Sequence, residues 1–274
     1  MTRQLIVTAD DLGLHASINR GVLEAYEDGI VTSASIAACG RAFEEACEMV
    51  SRRRKLDIGV HLCLVEEEAV SRSGRLPTLA PEGRFPKTYR ELFFSLVKGK
   101  IRLREIEIEL DAQIQRVLDA GIEVSHLDSH QHTHFFPQIQ HIVFNLAEKH
   151  GIRGVRGGAR VVPGRTKFSL LLAPLAKSVR NVARKSGMVT PDSLWLSSPS
   201  GRLTGLQLVR GIPRLPPGVT ELVVHPGSSQ RALDRAYPKW QFRWKQELAA
   251  VLASDVRDAL DRNQVTLTRY SELE

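Results

Sequence analysis

The chain has 274 residues, 42% hydrophobic and 25% charged, a balance that excludes a disordered, collagenous or coiled-coil protein and allows a sizeable core. Such a length suits one α/β barrel of about 250 residues better than two independent units, so one domain over residues 1–274 is expected. Lys+Arg 38 against Asp+Glu 31 gives +7, which favours anionic partners without the dense Lys/Arg blocks of a nucleic-acid binder.

Short apolar runs alternate with helical patterns along the chain, the signature of repeated βα units around a parallel sheet. Residues 5–9 read as the first strand, followed by a helix with Ile18, Val22, Ala25 and Tyr26 on one face. A strand over 33–38, a helix over 42–50 and a strand over 57–64 come next. Residues 65–88 hold Gly74, Pro77, Pro81, Gly83 and Pro86, so 65–100 is expected as an inserted loop and helix over the active-site face. An amphipathic helix over 101–118 ends at Gly121. Further strands are predicted over 124–127, 154–156, 193–196, 221–224 and 265–267, with helices over 137–150, 168–186 and 241–262. Cys39, Cys47 and Cys63 show no CxxC spacing and read as small buried thiols in a reducing compartment. The opening MTRQLIVTADD has no secretory apolar segment, and no apolar run is long enough to span a bilayer, so a cytoplasmic location is expected.

Chemistry-bearing residues gather at predicted strand ends. Asp10 and Asp11 follow the first apolar run, at the carboxyl end where parallel α/β folds place their sites, although Asp-Asp-Leu-Gly also reads as a turn. His61 sits in Ile58-Gly59-Val60-His61-Leu62, a run apolar enough to be buried on both faces and to hold a merely structural histidine. His126, His130, His132 and His134, four of the nine histidines, fall just after a strand, and clustered imidazoles suit a divalent ion that keeps open positions for water. The cluster offers more nitrogens than such an ion can use, so which histidines bind stays open. His225 ends the run Leu222-Val223-Val224 before Pro226-Gly227. These positions would meet at one mouth of a closed parallel sheet. An ion with open positions there points to metal-assisted hydrolysis, with Asp10 fit to take the proton of water and His225 to protonate a leaving nitrogen.

The motifs Val7-Thr8-Ala9-Asp10-Asp11-Leu12-Gly13, Gly29-Ile30-Val31-Thr32-Ser33, Gly59-Val60-His61-Leu62, His126-Leu127-Asp128-Ser129-His130-Gln131-His132 and His225-Pro226-Gly227 occur in that order. Over roughly residues 4–230 the chain resembles the YdjC-like (ChbG/HpnK) carbohydrate deacetylases. That resemblance implies a distorted TIM-like (β/α) barrel of the polysaccharide-deacetylase type that hydrolyses the acetamide of an N-acetylated amino sugar. It implies Asp11, His61 and His130 as metal ligands, Asp10 as general base and His225 as general acid. His126, His132 and His134 would then be supporting or substrate-facing, and Arg156 resembles in place an arginine that orients the base. The cofactor implied is one divalent ion, magnesium or zinc, with two imidazoles favouring zinc.

Asp128-Ser129-His130 stands where the hopanoid-associated branch reads Asn-Ala-His, so the cluster looks closer to the chitooligosaccharide branch. Residues 165–184 nonetheless form a basic amphipathic stretch, with Phe168, Leu170, Leu171, Leu172, Leu175 and Val179 against Lys167, Lys177, Arg180 and Arg184. It reads either as an ordinary barrel helix or as a membrane-surface element serving a glycolipid substrate at the inner membrane face. Trp240 and Trp244, four residues apart at the start of a predicted helix, read as core packing before a sugar platform. A metal-dependent phosphoesterase would want more carboxylates, and a non-catalytic metal protein would leave Asp10 and His225 without roles. The partner expected is an amino-sugar substrate and not nucleic acid, with a homodimer left open.

Overall fold

The computed structural model describes residues 2–72, 74–162, 167–196 and 200–274. In chain order the elements are β1 (Arg3–Leu12), α1 (Ala16–Glu27), β2 (Ser33–Ile36), α2 (Phe43–Val50), β3 (Asp57–Leu62), α3 (Tyr89–Val97) and α4 (Leu103–Asp119). Then follow β4 (Val124–Ser129), a 3-10 segment (His130–Phe135), α5 (Pro137–Lys149), β5 (Gly154–Val155), β6 (Arg160–Val162) and α6 (Lys167–Lys185). The chain continues with β7 (Ser193–Trp195), α7 (Gly205–Gly211), β8 (Gly218–Val224), α8 (Gln230–Ala236), α9 (Trp244–Leu252), α10 (Ser254–Arg262) and β9 (Val265–Leu267).

All strand pairs are parallel, in the order β5-β4-β3-β2-β1-β8-β7-β6, with β9 against β1. Strand β1 is the hub: it pairs with β8 from Arg3 to Ala9, with β9 from Arg3 to Leu5, and with β2 from Thr8 onward. Strands β5 and β6, consecutive in the chain, are the two edges of this curled sheet and share no ladder among the described residues. The result is the distorted barrel that the family resemblance implies, incompletely closed where the βα alternation alone led to a closed parallel sheet. Residues 5–12 of β1 are buried without alternation, as expected for a parallel strand covered by side chains on one face and helices on the other.

The predicted helix over 241–262 is two helices, because Ala253 is extended (φ −66°, ψ 131°) between α9 and α10. Within 65–100, α3 is a helix capped by the Thr88 side chain, which accepts from Glu91 N. The preceding loop is tied down by acids of α4 that helical periodicity alone would place harmlessly. Glu105 Oε2 accepts from the backbone N–H groups of Thr78 (2.7 Å) and Leu79 (2.9 Å), and Glu109 accepts from Val70 and Ser71. Both acids are buried, so the loop backbone satisfies carboxylates that would otherwise be stranded. In α6 the described Leu172, Ala176, Val179 and Ala183 are buried against the barrel, as in an ordinary barrel helix, whereas the side chains of 163–171 lie outside the described residues. No helix of the described residues is long and apolar enough to cross a membrane.

Candidate active site

Successive residues of a regular strand point to opposite faces, so Asp10 and Asp11 could not both serve one site on an unbroken β1. The β1–β2 register shifts between Ala9 and Leu12, and Asp11 takes φ 70°. This irregularity turns both carboxylates toward the same cavity, which lies at the carboxyl ends of the strands.

Register places the rest. His61 on β3 lies directly opposite Asp128 on β4, and His61 Nδ1 is 2.9 Å from Asp128 Oδ1. That carboxylate orients the ring and leaves Nε2 facing Asp11 Oδ1 at 3.4 Å. His130, at the first position after β4, puts Nδ1 3.2 Å from the same Asp11 oxygen, and its Nε2 lies 3.1 Å from Glu66 Oε2. Asp11 is buried, yet neither of its carboxylate oxygens makes a hydrogen bond among the described residues. A buried carboxylate facing two imidazole nitrogens without hydrogen bonds is the environment that a divalent ion would satisfy. Spacings of 3.2 and 3.4 Å also match ligands that share one ion through bonds of about 2.0–2.2 Å. Asp11, His61 and His130 thus form a fitting ligand set. Asp10, His61 and Asp128 are equally close together, but Arg156 pairs with both aspartates and its charge opposes a cation there. Burial by itself would raise the Asp11 carboxyl, but His130 and His61 hold it well below the usual carboxylate range. Burial opposes protonation of His130 as well, yet Asp11 and Glu66 push it up to about 9.

Arg156, just past β5 and fully buried, grips Asp10 with two bonds, Nη1 to Oδ2 at 2.8 Å and Nη2 to Oδ1 at 2.7 Å. Its Nη2 also lies 2.6 Å from Asp128 Oδ2, and its Nε donates to Glu221 Oε1 at 3.0 Å. Glu221 accepts in turn from Thr8 and Tyr270, each at 2.8 Å. One guanidinium therefore binds three buried carboxylates, an arrangement suited to its planar fork of donors.

His225 follows β8, the strand paired with β1. Its backbone N–H donates to Glu247 Oε2 at 2.6 Å, while Nδ1 stands 3.4 Å from that oxygen, an ion-pair distance rather than a hydrogen bond. Burial disfavours the protonated ring, but the Glu247 carboxylate outweighs it and raises the His225 pKa. Two glycines let α1 and α9 close on this turn: a Cβ on Gly21 of α1 would stand 2.5 Å from Gly227 Cα, and one on Gly227 would stand 3.0 Å from the Trp244 Cβ. Gly59 is explained likewise, since His126 packs over it and a Cβ there would stand 2.3 Å from the imidazole Nε2.

The remaining histidines divide. His132, in a left-handed turn (φ 54°), lines the cavity. His126 stacks on Tyr270 at 3.9 Å and reaches Ser35 Oγ, which donates to Asp128; burial lowers its pKa to about 3. His134 is clamped between Ser129 Oγ (2.6 Å) and the Arg156 carbonyl (3.1 Å), away from the cavity. Trp240 is not on a helix with Trp244, because α9 starts at Trp244. Trp244 is buried, whereas Trp240 stacks on His130 at 5.0 Å and faces the cavity. Sequence reading missed Glu66, Glu221 and Glu247. Glu221 had a signal, a carboxylate inside an apolar strand with no water to solvate it. Glu66 and Glu247 had none.

The cavity holds about 530 Å³ and is lined by Asp10, Asp11, His61, His130 and His225 together with the apolar Phe136, Leu172, Leu175, Leu196 and Val223. A neighbouring cavity of about 720 Å³ shares Glu66, Lys239 and Trp240 with it.

The family model described as YdjC-like protein matches residues 4–262. The chain is 37% identical over 150 residues to a carbohydrate deacetylase of Brevibacillus brevis, a match covering 54% of this chain and 57% of that protein. It is 39% identical over 153 residues to a chitooligosaccharide deacetylase of Salmonella paratyphi B, covering 56% and 58%. The matched segment thus spans little more than half the length of these curated relatives. Among solved structures, an Enterococcus faecalis V583 protein provisionally described as a cellobiose-phosphate cleavage protein superposes with a TM-score of 0.79 at 23% identity. That superposition covers 99% of this chain and 98% of the other, and shows a shared fold.

Proposed function

The chain belongs to the YdjC-like protein family, and from that premise we propose that it is a metal-dependent N-deacetylase that hydrolyses the acetamide of an N-acetylated amino sugar and releases acetate. The observation that carries this reading is one cavity that joins the Asp11, His61 and His130 ligand set to an Arg156-anchored Asp10 and a Glu247-backed His225. The relatives named as carbohydrate and chitooligosaccharide deacetylases support it. A divalent ion bound there, zinc by the preference of two imidazoles or else magnesium, would supply Lewis acidity toward a carbonyl oxygen and lower the pKa of water.

The chain's own residues do the proton work. Arg156 fixes Asp10 with two bonds, and each Asp10 oxygen retains a lone pair for the proton of an attacking water. The water oxygen bonds to the acetamide carbon. As the C–N bond breaks, His225 gives its proton to the leaving nitrogen, so acetate and a free amine result. Glu247 favours the protonated His225 this step needs. Trp240 offers a ring face to a sugar, and the neighbouring cavity has room for a further sugar unit. Three free thiols accord with a cytoplasmic enzyme.

The test is acetate release from N-acetylglucosamine oligomers by the metal-loaded protein, beside Asp10→Asn and Asp11→Asn. Asp10→Asn should lose activity while keeping the ion; Asp11→Asn should lose both. Full activity in Asp10→Asn would overturn its role as base. A second reading, a lipid-linked amino sugar, is favoured by the apolar lining of the cavity, and release only from an N-acetylglucosaminyl lipid would select it.

A further inference from the structure

Helix α3 exposes a row of large apolar side chains: Tyr89 (36% exposed), Phe93 (39%), Phe94 (57%) and Val97 (61%), with Leu103 (43%) beyond it. Tyr89, Phe93 and Val97 repeat every four residues and share one face, with Phe94 beside it, while Leu92 and Leu96 are buried and anchor the helix. A single exposed apolar side chain needs no explanation, but a contiguous set of them does. The same stretch is cationic. Residues 87–104 carry Lys87, Arg90, Lys98, Lys100, Arg102 and Arg104 against one acid, Glu91, with Arg102 and Arg104 paired to Glu105 and Glu107 just beyond. All six basic residues are exposed, and Lys98 and Lys100 make no ion pair among the described residues. Thr88, Tyr89 and Arg90 also form the lip of the candidate active-site cavity, where Phe93 packs on Phe136 at 5.3 Å.

We propose that α3 and residues 98–104 dock the protein on an anionic lipid surface, with Phe94 and Val97 entering the headgroup boundary and the lysines and arginines lying among the phosphates. Apolar residues flanked by basic ones are the signature of an interfacial helix. Charge complementarity selects this occupant. A second copy would set two cationic segments face to face across a two-fold axis, and nucleic acid offers no apolar medium for Val97 and Leu103. This docking is separate from the proposed chemistry, because neither Phe94, Val97, Lys98 nor Lys100 lines the cavity.

The experiment is sedimentation of the full chain with vesicles of phosphatidylglycerol and phosphatidylcholine, and with phosphatidylcholine alone, across a salt series. Binding should need the anionic lipid and weaken with salt. Lys98→Glu/Lys100→Glu should lower the partition coefficient about thirtyfold or more. Phe94→Ser/Val97→Ser should lower it similarly, with the melting temperature and acetate release from soluble oligomers unchanged. Absence of binding to anionic vesicles, equal binding to both vesicle types, or undiminished binding by either variant overturns the proposal. So does a dimer in sedimentation equilibrium that Phe94→Ser/Val97→Ser dissociates. Failure of the deacetylase reading would leave vesicle binding untouched, which keeps the two separable.

Discussion

Replacing Arg156 with methionine isolates the electrostatic foundation of the site, because the side chain is fully buried and touches Asp10, Asp128 and Glu221 at 2.6 to 3.0 Å. Methionine approximates the aliphatic stem of arginine, so the perturbation removes the guanidinium with its charge and donors. Removing one partner from a buried ion cluster costs about 3–5 kcal/mol, since the remaining charges stay buried and unpaired. For a domain of this size that corresponds to a melting temperature lower by roughly 6–20 °C. The loss should also depend on pH. Burial already holds Glu221 above its ordinary value with Arg156 present, and without the guanidinium it rises further, while Asp128 loses the charge that most lowers it. The folded variant then binds more protons than the unfolded chain, so its stability falls as pH rises. Urea denaturation of both proteins at about pH 5 and pH 8 should therefore show the larger deficit at pH 8. A deficit below about 1 kcal/mol, or one equal at both values, would refute the reasoning that Arg156 neutralises three buried carboxylates.

Other outcomes follow from neighbouring contacts. Glu66→Ala removes the carboxylate that fixes His130 Nε2, and divalent-ion affinity by titration calorimetry should fall about 10–100-fold. Glu247→Gln withdraws the charge that raises His225. The protonated acid then gives way at lower pH, so the basic limb of the pH–kcat/KM profile should move down by about one unit or more. An unmoved limb would show that Glu247 does not sustain the acid. Gly21→Ala sets a methyl group against the Gly227 backbone and should destabilise by about 1–3 kcal/mol. Its kcat should drop further than the same loss of stability placed elsewhere, because the displaced turn carries His225.

The sequence determined the βα repeat, since apolar runs of strand length can be satisfied only by a sheet covered on both faces, and β1, β3, β4 and β8 lie where those runs are. It also marked Asp10, Asp11, His61, the cluster of His126, His130, His132 and His134, and His225, because polar side chains at the carboxyl ends of apolar runs have little to do in packing, while the choice of His130 within the cluster came from the family resemblance. What it could not determine depends on register and crossing. That Asp10 and Asp11 share a face rests on one shift in the β1–β2 ladder, and a period-two pattern would have separated them. Arg156 meets Glu221 only because the sheet curls, bringing residues 65 apart in sequence within 3.0 Å, while Glu66 and Glu247 come from a loop and a helix whose local patterns carry no mark of the site. Trp240 was misassigned because side-chain spacing implies a shared face only where the backbone is helical, and the helix starts four residues later. Local sequence sets periodicity and burial through short-range sterics and hydrophobicity. Which charges meet is settled by long-range closure of the barrel, where burial makes every unpaired charge costly enough to select its partner.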